Sequence, residues 1–402
     1  MAKPEIRLNG FEGEWELSLM SELTTSFSYG INAAAIQYDG IHKYLRITDI
    51  NDSSNEFDQS NLTSPNAEES KLAPFYLKEG DITFARTGAS VGKSYIYNPN
   101  DGNVIFAGFL IRVILKDRVN PFFVYLNTLT KKYRKHVTLV SQRSGQPGMN
   151  PKEFGEFRFY ISPNPKEQRA IGDYFKSLNS TLQSTTKKIA SLKQMKQACL
   201  VSMFPHAGET TPRVRFKGFE GEWVRACLGE LFFERVESNA LGEMLSVTMN
   251  NGIIKASENG RFDNSNSDKS KYKVVKINDI AYNSMRMWQG ASGCSQYEGI
   301  VSPAYTVVVP YDGIDSMFFS YMFKTLPMIT LFRLYSQGLT SDTWNLKYPA
   351  FSKIKVLYPK DISEQQRIAS FFKSLDKQIS LQEKRLEKLK QIKAACLDKM
   401  FV

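Results

Sequence analysis

A chain of 402 residues is too long for one ordinary core and suits two domains with connectors. Hydrophobic residues at 42% and aromatics at 12% exclude a disordered chain, and the lack of any 18-residue apolar run argues against a membrane span. The formal net charge of +11 leaves a polyanion partner open, because Lys and Arg opposite phosphates supply most non-specific nucleic-acid affinity.

The chain opens MAKPEIRLNGFEGEW, without the apolar stretch of a secretory signal. Four cysteines with no CxxC pair predict a reducing, cytoplasmic setting and no disulfide framework or zinc site. Three histidines, at 42, 136 and 206, are too scattered for a His-based metal site. The opening motif returns: PEIRLNGFEGEWE from Pro4 matches PRVRFKGFEGEWV from Pro212, with proline, arginine, the glycines, Phe and Trp in register. A match of this length in such rare letters marks a tandem duplication.

After the first motif comes a stretch read as mixed α/β with strand predominance. LKEGDITFART (77–87) reads as a strand after a turn, VIFAGFLIRVIL (104–115) as strands, and PFFVYLNTLTKKYRKHV (121–137) as short amphipathic helices. A long helix follows from about Gln168 to Phe204, on the order of 55 Å in length. Phe175, Leu182, Ile189, Lys196 and Met203 recur every seven residues, with Leu178, Thr185, Leu192 and Cys199 at the alternate seam.

The second half repeats this order. VKINDIAYNSM (275–285), SPAYTVVVP (302–310) and SMFFSYMFKTLPMITLF (316–332) take the same roles. From Glu364 to Phe401 about 17 of 38 positions equal those from Glu167 to Phe204, with no gap. Phe372, Ile379, Leu386, Lys393 and Met400 form the second seam, with Leu375, Gln382, Leu389 and Cys396. Each stripe is narrow and otherwise unpaired, so the two helices are expected to pack on each other, antiparallel, with one globular domain at each end. Lys196 and Lys393 stand at seam positions, where a long cation must snorkel or find a partner.

Two motifs suggest chemistry and fail on spacing. GASVGKS (88–94) lacks the first glycine of a phosphate-binding loop, since Thr87 stands there. SPAY (302–305) lacks the second proline of an adenine-methyltransferase motif, and no glycine-rich cofactor loop precedes it. The first segment is instead a Gly-rich turn whose Arg86, Thr87, Ser90 and Lys93 face a partner. Its counterpart, NSMRMWQGASG (283–293), offers Asn283, Arg286, Trp288 and Gln289. Trp288 could be a plain buried anchor, whereas Arg286 and Gln289 suit guanine and adenine edges. A second polar segment precedes each long helix: VSQRSGQPGMNPKEF (140–154) with Gln142, Arg143, Gln146, Asn150 and Lys152, and YSQGLTSDTWNLKYP (335–349) with Gln337, Thr340, Asn345 and Lys347. The shared Ser-Gln and Asn-x-Lys suggest that Asn150 and Lys152 correspond to Asn345 and Lys347. Such segments are commonly solvated loops; matched in place but different in chemistry, they look like paired readers of different targets.

Taken together, the duplicated GFEGEW, EQRAIGDYFKSL and EQQRIASFFKSL, GDITFARTGASVGK, IAYNSMRMWQGASG and IVSPAYTVV resemble the specificity subunit of type I restriction-modification systems, over essentially the whole chain. The resemblance implies an α+β protein: two mixed α/β target-recognition domains, joined by two long helices in an antiparallel coiled coil, as a pseudo-twofold repeat. The domains would be 1–163 and 206–360, the helices 164–205 and 361–402. It implies that each domain reads one half of a bipartite site in double-stranded DNA, through the residues named above, while the helices set the spacer. The chain itself would hold no cofactor and no catalytic residue. Two modification subunits carrying S-adenosylmethionine would dock on it to methylate adenine, and restriction subunits would join for cleavage. The alternatives are a self-contained DNA adenine methyltransferase and a coiled-coil scaffold for proteins only. In the specificity-subunit reading GFEGEW belongs to the repeated scaffold and is expected to place its aromatics where domain and helix meet.

Overall fold

The computed structural model describes residues 2–249, 252–259, 268–341 and 343–402. The chain forms two compact units, Met1–Thr185 with Arg385–Val402, and Thr186–Lys384. Each unit is centred on a four-stranded antiparallel sheet with the same strand order. In the first the order is Thr24–Tyr29, Leu110–Leu115, Ile82–Ala85, Ser94–Ile96; in the second it is Phe232–Glu234, Tyr305–Pro310, Ile280–Asn283, Ser292–Cys294. A two-stranded ribbon flanks each long helix, Glu16–Leu19 with Arg158–Ile161 and Val224–Cys227 with Lys355–Tyr358. The units differ in their remaining strands. The first pairs Lys43–Leu45 with Val104–Phe106 in parallel; the second pairs Lys273–Val275 with Gly299–Val301 antiparallel.

The expected short helices form in both units, each region split in two by a threonine at the break. Pro121–Asn127 and Lys131–Val140 are separated at Thr130, which caps the second, and Ser316–Met322 and Leu326–Tyr335 at Thr325. The long helices run Pro165–Ser202 and Ile362–Lys399. Their seam reading matches burial: Phe175, Leu178, Thr185, Ile189, Leu192 and Met203 are buried, as are Phe372, Leu375, Ile379 and Met400, and no other seam position is fully exposed.

Within each unit, one end of each long helix lies against the other. In the first, Tyr174 meets Cys396 at 3.4 Å, and the Phe175 and Phe401 rings are 6.1 Å apart. In the second, Lys193 pairs with Glu383 at 2.7 Å, Lys196 with Asp376 at 2.5 Å, and Phe204 stacks on Phe372 at 6.1 Å. In the second unit one number falls as the other rises, so the two helices run antiparallel there. Lys196 thereby has its partner, and its ammonium also sits 5.6 Å from the Tyr321 ring centre.

The repeated letters are explained by one buried lock. Trp15 is fully buried and donates to Glu167 at 3.2 Å, while Arg7 grips the same carboxylate at 2.6 and 2.8 Å. The guanidinium also donates to the Gly13 and Glu12 carbonyls, at 2.6 and 2.9 Å, inside GFEGEW itself. Trp223, Arg215 and Glu364 do the same, with Arg215 at 2.7 and 2.8 Å from the carboxylate and bonded to the Gly221 and Glu220 carbonyls. The motif glycines sit at φ of +88° and +90° (Gly10, Gly13) and +95° and +77° (Gly218, Gly221), a region other residues rarely enter. The adjoining glutamine is equally fixed. Gln168 accepts from the Asn120 amide at 2.9 Å and Gln365 from that of Asp315 at 2.8 Å, pinning the residue that caps each first short helix. GFEGEW and the EQ that opens each long helix are therefore two sides of one joint, and its tryptophans pack where domain and helix meet, as expected.

Candidate nucleic-acid interface

The sheet strand Ile82–Ala85 ends in the first Gly-rich turn, and the structure brings the second polar segment of that unit against it. Thr87 bridges Gly148, Gly88 donates to the Pro147 carbonyl at 2.9 Å, and Met149 donates to the Arg86 carbonyl at 2.9 Å. The Gln146 amide lies over Gly88, close enough that a Cβ there would stand 2.8 Å from its nitrogen. So Arg86, Thr87 and Gln146 share one edge, Gln146 exposed and the other two half-buried. GASVGKS runs from a single tight turn into the strand Ser94–Ile96, not into the helix that a phosphate cradle uses.

Other candidates of this unit have structural work. Lys93 is held by the Asp52 carboxylate and donates to the Ile50 carbonyl at 3.0 Å. Ser90 is half-buried, and its carbonyl accepts from the Lys93 amide at 2.9 Å. Arg143 pairs with Glu153 and binds the Val140 carbonyl at 2.9 Å. Asn150 caps the helix Pro151–Gly155, accepting from Glu153 at 3.1 Å. Gln142 and Lys152 are exposed.

The second unit builds the same meeting. Leu346 donates to the Ser284 carbonyl at 2.8 Å, and Gln337 and Asn345 exchange backbone bonds at 3.0 and 2.8 Å. Asn283 closes the turn by accepting from the Met285 amide at 3.0 Å. Arg286 and Gln289 are exposed, as are Gln337, Thr340 and Lys347. The Oδ1 of Asn345 is buried without a hydrogen-bond partner. Trp288 is half-buried and not a core anchor. It donates to the Met285 carbonyl at 3.1 Å and meets Trp344 edge-on at 5.3 Å, and Arg333 sits 5.5 Å from the Trp344 ring centre.

Strand pairing and helix caps fix which residues correspond, and they correct one sequence alignment. Ile82 pairs with Ile96 as Ile280 does with Cys294, so Arg86 matches Ser284, and Arg286 matches Gly88. The two arginines are not equivalent. Asn150 and Lys347 both cap the short helix before the ribbon, so Asn150 corresponds to Lys347 and not to Asn345, a shift of two residues. The shared Asn-x-Lys letters had hidden a longer loop in the second unit.

Sequence reasoning missed Tyr29, Phe109, Arg333, Trp344 and Lys324. Lys324 donates to the carbonyls of Met249 at 3.0 Å, Ser292 at 2.8 Å and Gly290, clamping the turn that carries Arg286 and Trp288. Burial, and after it the charge of Lys196, pushes Lys324 down to about 8. Trp344 stood inside a segment already singled out; the others come from distant parts of the chain.

Each unit thus carries a polar rim of amides, hydroxyls and arginines on a shared backbone frame, a surface suited to hydrogen-bonding base edges and phosphates. The family model described as type I restriction modification DNA specificity domain matches residues 31–194 and again 222–391. The chain belongs to that family and carries two of its DNA specificity domains. Among solved structures, it resembles the type I restriction-modification S subunit from M. genitalium, at a TM-score of 0.64 and 16% identity, covering 100% of this chain and 99% of that one. It also matches the HsdS subunit from Thermoanaerobacter tengcongensis, at a TM-score of 0.47 and 15% identity over 98% of both chains. None of the curated proteins compared with the sequence matches it. Among the described residues no helix is long and apolar enough to cross a membrane.

Proposed function

We propose that the chain is the DNA-reading subunit of a type I restriction-modification complex, each unit recognising one half of a bipartite site in double-stranded DNA. One observation carries this reading: an identical Arg–Glu–Trp lock in both units supports rims whose side chains differ. A repeated frame with divergent rims is what two readers of different sequences require. The long helices hold the readers apart and set the spacer. Their repeated surfaces give two modification subunits equivalent docking places. Those subunits bring S-adenosylmethionine and methylate adenine; restriction subunits join for cleavage; the chain itself is not catalytic and works in the cytoplasm.

The test is to map methylated adenines in cells producing the chain with its modification partner. A single split motif, absent when the chain is omitted, is the expected result. Methylation by the purified chain alone would instead make it a self-contained methyltransferase. A purified complex with no salt-dependent DNA binding would make it a scaffold for proteins only.

A further inference from the structure

The half-buried arginines of the first unit divide by what they face. Arg7, Arg46 and Arg112 each have a carboxylate within 4 Å: Glu167, Asp49 and Asp81. Arg86 has none of these. It is half-buried, with its guanidinium carbon 4.9 Å from the Tyr29 ring centre and 5.9 Å from that of Phe109. Its Nε is buried without a hydrogen-bond partner. Its backbone is tied on both sides, the amide to the Phe109 carbonyl at 3.0 Å and the carbonyl to the Met149 amide at 2.9 Å. Tyr29 and Phe109 are themselves 44% and 55% exposed, rings left at the surface where the strand Thr24–Tyr29 ends and just before its neighbour Leu110–Leu115 begins.

The buried Nε is out of reach of an incoming acceptor, so a ligand must bond the two terminal amino groups of the guanidinium. Ring contacts on a guanidinium favour the cation and limit how its plane can turn, leaving the edge of the fork as the bonding surface. Planar acceptor pairs satisfy such an edge. In a DNA major groove that pair is O6 and N7 of guanine; a phosphate also offers two oxygens, but there a lysine can serve as a point charge, which at the guanine edge costs the fork. In the second unit the matching residue is Ser284, buried and bonded to Thr306 at 2.8 Å, so this device belongs to one reader alone.

We infer that Tyr29 and Phe109 are positioning residues that clamp Arg86 for bidentate contact with one guanine of the first half-site. The inference rests on the DNA-reading function proposed above. It is tested in the full chain, produced with its modification partner, by mapping adenine methylation and by measuring binding to duplexes altered at each base pair. Arg86→Lys keeps the charge and removes the fork; it should lose about 10-fold or more of the discrimination at one G·C pair, with the second half-site unchanged. Tyr29→Ala and Phe109→Ala should relax the same position, and Tyr29→Phe and Phe109→Tyr should retain it. Three outcomes overturn the clamp. Arg86→Lys could preserve the motif, as expected of a phosphate contact. The ring-to-alanine variants could lower melting temperature and weaken all sites equally, as expected of plain packing. Or they could leave the motif untouched. If the unaltered chain yields no split motif, the function itself fails; a split motif indifferent to these variants fails the clamp alone.

Discussion

The same backbone carbonyl is held in different ways in the two units, and the difference separates frame from reader. Gly92 and Gly290 occupy matching turns, at φ of +82° and +81°. In the first unit the Tyr133 hydroxyl donates to the Gly92 carbonyl at 2.9 Å; in the second the Lys324 ammonium binds Gly290. A neutral phenol in one and a half-buried cation in the other support matching turns. The Arg–Glu–Trp lock, by contrast, is kept residue for residue. What touches both domain and long helix is repeated; what shapes the rim is free to change.

Breaking the lock should have the largest effect. Glu364→Ala leaves Arg215, only 17% exposed, without its carboxylate. The expected loss is about 3 kcal/mol or more, read as a melting temperature lower by roughly 10 °C. Arg215→Met combined with Glu364→Leu should recover much of it, because both charges leave together. A single variant as stable as the parent would mean that the lock is not a joint at all.

The turn clamp comes next. Lys324→Met removes a donor from three carbonyls and should cost about 1–3 kcal/mol, with recognition weakened at the second half-site and intact at the first. Its pH dependence has a definite sign. The ammonium titrates near 8 in the fold and at 10.5 in the unfolded chain. Between those values the unfolded chain binds more protons, so this residue's contribution to stability grows as pH rises from about 8 and is lost again as pH falls through it. The parent should gain melting temperature relative to Lys324→Met between pH 7.5 and 10.

Arg286→Ala tests the rim itself. Arg286 is exposed and matches a glycine in the other unit, so its loss should leave folding unchanged. Binding should fall by about 1–3 kcal/mol at one position of the second half-site. An equal loss on every sequence, with a shallower salt dependence, would make it a phosphate contact.

These effects mark what the letters could reveal. The duplication, the heptad seams and the strands were legible because periodicity and repetition are local. The role of GFEGEW as half of a joint was legible only in outline, since its partner Glu167 lies 160 residues from Arg7. The rim was harder. Lys93 reads as a free cation until Asp52, 41 residues away, takes it up. Phe109 read as an ordinary strand residue and Tyr29 carried no signal, and only the fold sets them around Arg86. Loop register was misread because two identical letters outweighed helix capping.

The smallest expected effect concerns the seam lysines, and it has opposite signs in the two units. Lys196 and Lys393 hold the same heptad position. Lys196 is paired with Asp376, whose second oxygen accepts from the Tyr321 hydroxyl at 2.9 Å. Lys393 is half-buried too, yet among the described residues no carboxylate lies within ion-pair distance, and desolvation holds its pKa below the usual lysine range. Asp376 is 41% exposed, so solvent screening keeps its pair with Lys196 modest. Lys196→Met should therefore destabilise by about 0.5 kcal/mol, shrinking further at high salt. Lys393→Met keeps the apolar stem and removes a poorly compensated charge from a partly apolar seam, so it should be neutral or stabilise by about 0.5–1 kcal/mol. Denaturant titration of both variants at low and high salt reads the difference directly. Equal losses from the two would show that an unseen partner, or a different helix register, serves Lys393.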